Sequence, residues 1–444
     1  MDILIKALQL ILSLSILVVL HELGHFLPAK YFKTKVEKFY LFFNPGFSLF
    51  KKQIGETEYG VGWLPLGGYV KIAGMIDESM DKEFLDSEPE PWEFRSKPAW
   101  QRLIIMLGGV TVNIILGYLI FTLVAFTWGS SYIPVSEVKD GIYVDTLGYN
   151  MGLRTGDKII KIGDEEFNKF NSGALLRAVV IDDARSVTVN RDGSVIDIPI
   201  DEKYVQILTG EGKEQLIFEA RVPFKLAMVV EGSPADKAGL MKDDVIVGYN
   251  GNPIEFYDEL ALKTRDMKNE TIEITYKRNG QTRTTDLTID EDGKIGVYNY
   301  APREFFKVET EEYNLSESFA VGVKRANGFV TDQLNAFGKI FRGKIKAKDS
   351  LGSFLSIGNM FPSSWDWQIF WNMTAMLSMI LGILNLLPIP GLDGGHVMFL
   401  IWEVITGKKV SDKVVEYATM VGFVLLILLM VFALGNDIRR FWPF

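Results

Sequence analysis

The stretch Leu17-Val-Val-Leu-His21-Glu22-Leu-Gly-His25 decides the fold, because an apolar run leads directly into three ionisable side chains. The apolar segment runs from Ile3 to about Phe32, which is longer than the roughly 20 residues that a helix needs to cross a bilayer. Two of the chain's three histidines lie here, and side chains four apart share one helical face. Both imidazoles can therefore bind one metal ion, with Glu22 beside it. Ionisable groups inside a membrane helix are costly, so this pattern favours a metal site over two hydrogen-bonded histidines at a membrane interface.

Three further apolar segments predict additional membrane helices, which gives about four in all. They are Leu103–Trp128, Ile369–Leu387 and Tyr417–Leu434, with a shorter apolar stretch at Val397–Ile405. No small-residue cleavage site follows the first segment, so we expect it to be retained rather than removed as a signal peptide.

The distribution of basic residues predicts the orientation of the chain in the membrane. Residues 129–138 and 349–368 contain no Lys or Arg. Basic residues instead lie near the other ends of the first three apolar segments: Lys30, Lys33, Lys35, Lys38, Lys51, Lys52, Lys97, Arg102, Lys408, Lys409 and Lys413. Basic loops remain in the cytoplasm, so the middle of the chain should face outward, although Arg439 and Arg440 argue against this.

Composition excludes several classes of protein. The net charge is −9 and no basic patch is present, which excludes nucleic acid as a partner. The chain has no cysteine, which excludes disulfide frameworks, zinc ribbons and thiol catalysis.

The middle region contains an internal repeat. Gly152-Leu-Arg-Thr-Gly-Asp-Lys-Ile-Ile and Gly239-Leu-Met-Lys-Asp-Asp-Val-Ile-Val align at an offset of 87 residues. Short β-rich runs such as Ser186–Val189 and Thr271–Tyr276 alternate with glycine turns. The repeat predicts two tandem domains of mixed α and β structure, inserted between the second and third membrane segments.

A catalytic zinc site usually has three protein ligands, so the two histidines need a partner. The segment Asn385-Leu-Leu-Pro-Ile-Pro-Gly-Leu-Asp393-Gly-Gly-His396 offers both Asp393 and His396. Its prolines and glycines should break the third membrane helix, and irregular backbone at membrane depth is tolerated where it lines a cavity. Taken alone, Asp393 could instead cap a helix.

Together, His21-Glu-x-Gly-His25 and Asn385-x-x-Pro-x-Pro-x-Leu-Asp393-Gly-Gly resemble the site-2 protease family of intramembrane zinc metalloproteases, over the whole chain. The resemblance implies that His21, His25 and Asp393 bind one Zn²⁺ per chain and that Glu22 is the catalytic base. It also implies that Asn385 holds the substrate strand. Since Asp393 then fills the third ligand position, His396 is assigned to a second shell or a structural role.

The second copy of the repeat, with Gly232-Ser-Pro-Ala-Asp-Lys-Ala-Gly-Leu240, resembles a PDZ domain, and the first copy is a weaker match. PDZ domains can bind the ends of peptides by strand addition. Both domains could equally be spacers or size filters that bind nothing specific.

Two further segments carry weaker signals. Gly62–Lys71 resembles the family's membrane-associated β-hairpin, which would place Gly67, Gly68 and Tyr69 at the substrate, with Asn44–Leu49 as a neighbouring edge strand. An ordinary surface hairpin fits the same residues. An apolar face at helical spacing predicts a connector helix, either packed on its neighbouring domain or lying on the membrane, from Phe319, Val323, Val330, Leu334, Phe337 and Ile340.

The sequence therefore predicts a multi-pass α-helical membrane protein that cuts single-span membrane proteins, in the plasma (inner) membrane of a bacterium. Its predicted regions are 1–132, the PDZ-like domains 133–222 and 223–305, the connector 306–368, and 369–444 with the last two membrane helices. Substrates such as anti-sigma factors or signal-peptide remnants follow from the resemblance alone. Two rival functions are a membrane scaffold with an inactive metal site, which the intact Glu22 argues against, and a zinc transporter, which would need ionisable groups along a path through the membrane.

Overall fold

The computed structural model describes residues 2–65, 67–75, 88–209, 216–343 and 352–441. It divides into two compact units. The first contains the described residues up to Gly129, the segment Glu312–Phe337 and the described residues from 352 onward. The second contains Ser130–Glu311 and a short segment that begins at Gly338. Residues 210–215 of the first predicted domain and 344–351 of the predicted connector lie outside the described residues.

The first unit begins with a long helix, a small sheet and a second long helix. Helix α1 covers Asp2–Tyr31 and helix α2 covers Ala99–Trp128. The four strands between them are β1 (Val36–Leu41), β2 (Phe50–Ile54), β3 (Thr57–Val61) and β4 (Tyr69–Ile72). The sheet packs on both helices through a core that includes Ala29, Val36, Val70, Ile72 and Ile105.

The order of these strands corrects two predictions. The sheet runs β2-β3-β1-β4, with β3 parallel and β4 antiparallel to β1. Gly62–Lys71 is therefore not a hairpin: it connects β3 to β4, which lie on opposite sides of β1, and Leu66 within it is outside the described residues. The hairpin is β2–β3, which turns at Gly55 with φ of 62°. Asn44–Leu49 is a loop rather than an edge strand, and the edges of the sheet are β2 and β4.

The second unit contains two modules, each with its own hydrophobic core. The first module's core extends from Ile142 to Phe218 and the second module's from Phe224 to Ile295. The elements of the first module are β5 (Ser130–Pro134), β6 (Ile142–Val144), α3 (Thr146–Asn150), β7 (Lys158–Ile162), β8 (Glu165–Glu166), β9 (Lys169–Phe170), α4 (Ala174–Val180), β10 (Ser186–Arg191), β11 (Ser194–Pro199), α5 (Lys203–Thr209) and β12 (Phe218–Ala220). Those of the second are β13 (Leu226–Val229), α6 (Pro234–Lys237), β14 (Val245–Tyr249), β15 (Asn252–Pro253), α7 (Asp258–Ala261), β16 (Thr271–Arg278), β17 (Gln281–Thr288) and β18 (Val297–Asn299). The central sheets run β11-β10-β7-β8 and β17-β16-β14-β15, in equivalent order.

The repeat seen in the sequence is also a repeat of one buried ion pair. In the first module, Arg191 donates to both carboxylate oxygens of Asp157 at 2.7 and 2.8 Å. In the second, Arg278 donates to both oxygens of Asp244 at 2.7 Å. Both aspartates are almost fully buried. Each arginine also donates to a glycine carbonyl, Gly152 or Gly239. These residues keep the offset of 87, so the two modules share one structural motif.

The last strand of the second unit, β19 (Glu309–Glu311), pairs with β5. The chain then returns to the first unit. The helices that follow are α8 (Leu315–Phe341), α9 (Phe354–Met360), α10 (Trp367–Leu386), α11 (Asp393–Thr406) and α12 (Asp412–Phe441). Among the described residues, four helices are long and apolar enough to cross a membrane, namely α1, α2, α10 and α12. They contain the apolar segments that the sequence singles out, and the chain is a multi-pass membrane protein with sheet-rich modules.

The connector helix α8 has two environments: its first part packs along α2, and its end packs on the first module through Lys339 and Ile340, as the first interpretation expects. A Cβ at Gly322 would lie 2.7 Å from the backbone of Thr122, so the two helices approach closely there. The Tyr118 hydroxyl donates to Asn327, and Ala326 is fully buried. The apolar spacing was correctly identified as a helix, and the partner of its first part is another long helix, α2.

We expect the buried ion pair to dominate the local stability of the second module. Asp244→Ala removes the carboxylate and leaves Arg278 without its partner, which should cost about 3 kcal/mol. Hydrogen exchange of full-length protein in detergent should then be on the order of 100-fold faster in β16 and β17. Asp292→Ala is the control, because that side chain is 69% exposed. Unchanged exchange in Asp244→Ala would contradict this role.

Candidate metal centre

Helices α1 and α11 bring together the three side chains that the sequence singles out as metal ligands. His21 and His25 lie on one face of α1, with their Nε2 atoms 3.2 Å apart. Oδ2 of Asp393 lies 3.3 Å from Nε2 of His21 and 3.4 Å from Nε2 of His25. Three potential ligand atoms therefore form a nearly equilateral triangle.

This triangle fits a tetrahedral metal ion. Zinc bonds of about 2.0–2.1 Å place the ligand atoms of a tetrahedron about 3.3–3.4 Å apart, whereas neighbours at 90° would be about 2.9 Å apart. Within the described chain, Oδ2 of Asp393 is buried and has no hydrogen-bond partner. A buried carboxylate oxygen without a donor is costly unless a cation compensates for it. The three residues fit zinc, and they leave its fourth position for water or substrate.

A break between α10 and α11 places Asp393 in the triangle. Helix α10 ends at Leu386, and Pro388 and Pro390 prevent it from continuing. Gly391 has a φ of 96°, a conformation that favours glycine. Helix α11 begins at Asp393, and its N-cap position is held by Leu392. Asp393 is therefore not the helix cap that its residue type alone would allow.

Helix α2 contacts the Nδ1 atoms of both histidines, on the side away from the metal centre. The sequence analysis did not predict these contacts. Nδ1 of His25 lies 2.8 Å from the carbonyl oxygen of Ile105. A carbonyl only accepts, so Nδ1 carries the proton and Nε2 presents its lone pair to the centre. Nδ1 of His21 lies 3.0 Å from Nδ2 of Asn113, a residue with no exposed surface. The only sequence signal for this role was a single amide inside an otherwise apolar segment.

Glycines allow α1 and α2 to approach closely enough for these contacts. A Cβ at Gly24 would lie 2.5 Å from the carbonyl oxygen of Gly108. A Cβ at Gly109 would overlap Nε2 of His25 and lie 2.6 Å from Cε1 of His21. Small residues at a membrane helix interface permit such backbone contact. The pair Gly108-Gly109 could have been singled out on this ground, but its alignment with the histidines required the structure.

Glu22 and Asn385 adjoin the triangle. Glu22 is almost fully buried and accepts a hydrogen bond from the backbone N–H of Val70 in β4. Nδ2 of Asn385 lies 3.4 Å from Nε2 of His21. The centre therefore contains a carboxylate outside the ligand set and an amide beside one ligand.

The segment before β4 lies against α1. A Cβ at Gly68 would lie 2.6 Å from both Cγ1 of Val18 and the carbonyl oxygen of Tyr40. Tyr69 stacks on Tyr40, with ring centroids 5.3 Å apart, and its hydroxyl donates to Asn44. A Cβ at Gly67 would lie 2.8 Å from the ring of Phe43. These contacts place Gly67, Gly68 and Tyr69 on the same strand connection as Val70, beside the histidine helix.

His396 lies elsewhere. It lines a small cleft of about 70 Å³ together with Arg102 and Glu403, which form an ion pair at 2.5 Å. In the described part of the chain, the residues grouped as possible metal ligands are His21, His25 and Asp393, without His396.

Comparison with known proteins identifies related chains of similar length. Residues 9–429 match the sequence profile of peptidase family M50. A "putative zinc metalloprotease" of Neisseria meningitidis is 29% identical, over 98% of both chains. The "regulator of sigma E protease" of Haemophilus influenzae is 28% identical, over 97% of this chain and 98% of its own. A solved PDZ domain of the SdrC-like protein of Listeria monocytogenes is 25% identical over 17% of this chain and 84% of its own, with a TM-score of 0.16.

We expect Gly109→Ala to abolish most zinc binding, because its methyl group would occupy the space of the two imidazoles. Metal analysis of the purified protein after dialysis against zinc would measure this loss. Gly117→Ala on the same helix is the matched control, because there the methyl group would meet the side chain of Met379 instead of the imidazoles, and the nearest backbone atom, the carbonyl oxygen of Ala375, lies at an ordinary contact distance of 3.4 Å. Equal zinc content in both variants would show that the contact at Gly109 does not shape the centre.

Proposed function

The chain belongs to peptidase family M50, the site-2 protease family, and we propose that it hydrolyses peptide bonds within or near the transmembrane segments of single-span membrane proteins. It is a zinc metalloendopeptidase of the site-2 type, as the family and the names of its relatives indicate. The observation that carries the proposal is the triangle of His21, His25 and Asp393 with Glu22 beside it, where both histidines lie in the second half of a long apolar helix.

We assign His21, His25 and Asp393 as the ligands of one zinc ion. A zinc ion held by them supplies Lewis-acid chemistry, since it polarises a peptide carbonyl and lowers the pKa of water. Glu22 is the general base, which takes the proton of the attacking water and then gives it to the leaving amine. The hydrogen bond from Val70 supports this role, because it fixes the direction of the carboxylate before the substrate arrives.

The substrate must be unwound before it can be cut, because a helix keeps its carbonyl groups in internal hydrogen bonds. Strand β4 is an edge of its sheet and adjoins Glu22, so it could hold an extended substrate by strand addition. Gly67, Gly68 and Tyr69 would guide the substrate onto this edge, and Asn385 would hold its backbone near His21. Segments rich in glycine or proline should be better substrates than stable helices.

The second module contains a cleft that could bind the end of a peptide. It measures about 1310 Å³ and is bordered by Gly232–Pro234, Ala261, Arg265 and Ile295–Tyr298. An open groove beside the short strand β18 is compatible with strand addition. A size filter that excludes large outer domains remains the second candidate for both modules.

We further propose that the protein lies in a bacterial inner membrane with both modules outside the cytoplasm. The charge distribution supports this, because the loop after α1 is basic while residues 129–138 and 349–368 contain no Lys or Arg. A relative is named for the regulation of a sigma factor. Anti-sigma factors are therefore candidate substrates here, and signal-peptide remnants are candidates through the family resemblance alone.

Glu22→Gln should retain zinc but cleave a single-span substrate at least about 100-fold more slowly than the wild type, because it removes the base without removing a ligand. Cleavage in detergent and metal content would be measured together, with the exposed Glu56→Gln as control. The unwinding step is tested with two substrates that differ only in their transmembrane helix, one with glycine and proline and the other with leucine at the same positions. The first should be cleaved faster. Normal cleavage by Glu22→Gln would reject Glu22 as the base. No cleavage by the wild type would favour a scaffold, and zinc flux unchanged by this substitution would favour a transporter.

The absence of cysteine makes the orientation simple to test. In intact cells whose outer membrane is permeable to the label, a membrane-impermeant thiol reagent should modify Asp292→Cys. Lys52→Cys in β2 should react only after the inner membrane is disrupted. Both positions are exposed, so accessibility differs only by side of the membrane. The reverse labelling pattern would contradict the proposed topology.

A further inference from the structure

Asn113 has an unusual environment for an amide. It lies in the middle of α2 with no exposed surface. Its Nδ2 lies 3.0 Å from Nδ1 of His21, while its Oδ1 is buried and has no hydrogen-bond partner among the described residues. Its backbone carbonyl accepts a hydrogen bond of 2.7 Å from Ser378 in α10. The backbone is thus held in place while the side chain has one unused acceptor.

Metal binding determines which ring nitrogen of His21 carries the proton. A neutral imidazole that binds a metal through Nε2 has its proton on Nδ1. With Asn113 as placed, the N–H of Nδ1 would then face the N–H of Nδ2 at 3.0 Å, and neither atom could accept. A rotation of the amide by 180° exchanges its oxygen and nitrogen without moving the backbone. Nδ1 of His21 would then donate to Oδ1, and the unused acceptor would gain a donor.

We propose that Asn113 is the positioning residue of the metal centre, whose Oδ1 accepts the Nδ1 proton of His21 and so directs Nε2 towards the ion. The inference rests on the proposed metal ligands. It gives His21 the same kind of support that the carbonyl of Ile105 gives to His25. Ile105 and Asn113 both lie on α2, eight residues or about two helical turns apart.

Two substitutions at position 113 distinguish a role as hydrogen-bond acceptor from a role in filling space. Asn113→Leu keeps the number and the branching of the side-chain heavy atoms and removes the acceptor. Asn113→Asp keeps an acceptor oxygen and removes the amide N–H groups. If Asn113 only fills space, the two variants should behave alike; if Oδ1 is what His21 needs, they should differ in metal affinity.

The experiment is a chelator competition that measures the zinc affinity of full-length protein in detergent, with thermal unfolding as a check on folding. We expect Asn113→Leu to bind zinc 10 to 100 times more weakly, as is usual when the partner of a ligating histidine is lost. Asn113→Asp should stay within a few-fold of the wild type. Ser378→Ala, which alters the same helix contact without touching the amide, is the matched control. Cobalt substitution adds a spectroscopic measurement, since a rotated imidazole changes the d–d absorption of the centre.

Each result has a defined meaning. Asn113→Leu with wild-type zinc affinity would overturn the proposal, as would equal losses in folded Asn113→Leu and Asn113→Asp. If Asn113→Leu does not fold, Asn113→Ala removes the acceptor with a smaller change in packing and takes its place in the comparison. A wild-type protein that binds no zinc would instead overturn the metal centre itself, and this distinguishes the failure of the proposed function from the failure of this inference.

Discussion

The backbones of α1 and α2 touch at Gly24 and Gly108, and the metal centre depends on this contact. The approach brings Ile105 and Asn113 within reach of the outer nitrogens of the two histidines. It also leaves no room for a side chain at Gly109, so the imidazoles lie directly against the backbone of α2. Polar groups inside a membrane need hydrogen-bond partners within the protein. A neighbouring helix whose backbone touches the first helix can supply them.

The second constraint is the break between α10 and α11. If α10 continued as one helix beyond Leu386, Asp393 would lie farther along its axis. The break allows the chain to change direction, so that Asp393 faces the two histidines. Pro388 and Pro390 end the helix, and the glycines that follow allow backbone to pack on backbone. A Cβ at Gly395 would lie 2.6 Å from Cα of Pro390. The same residues that make the segment irregular therefore make it compact.

Several parts of the fold and site could be predicted from the sequence because their signals are local. The family, the long apolar helices, the convergence of His21, His25 and Asp393, and the repeat of 87 residues all follow from short motifs or periodicity, and the family prediction is confirmed. The sheet between α1 and α2 was predicted wrongly, because alternation of residue types does not distinguish a hairpin from two strands on either side of a third. Asn113 and Gly109 were missed because their importance lies in what a different helix presents to them. The roles of Glu22, Asn385 and His396 stay predictions.

The paired arginine and aspartate in the two modules have an evolutionary consequence. Each module contains the buried pair together with the sheet that surrounds it, so each copy carries a complete determinant of its own fold. Selection could then act on the loops of one copy without endangering the other. The second copy carries Gly232-Ser233 where the first, at the same offset, carries Asp145-Thr146. The carboxylate of Asp145 in the first module therefore corresponds to Gly232, which has no side chain, in the second. The two copies differ in this loop while their cores are alike.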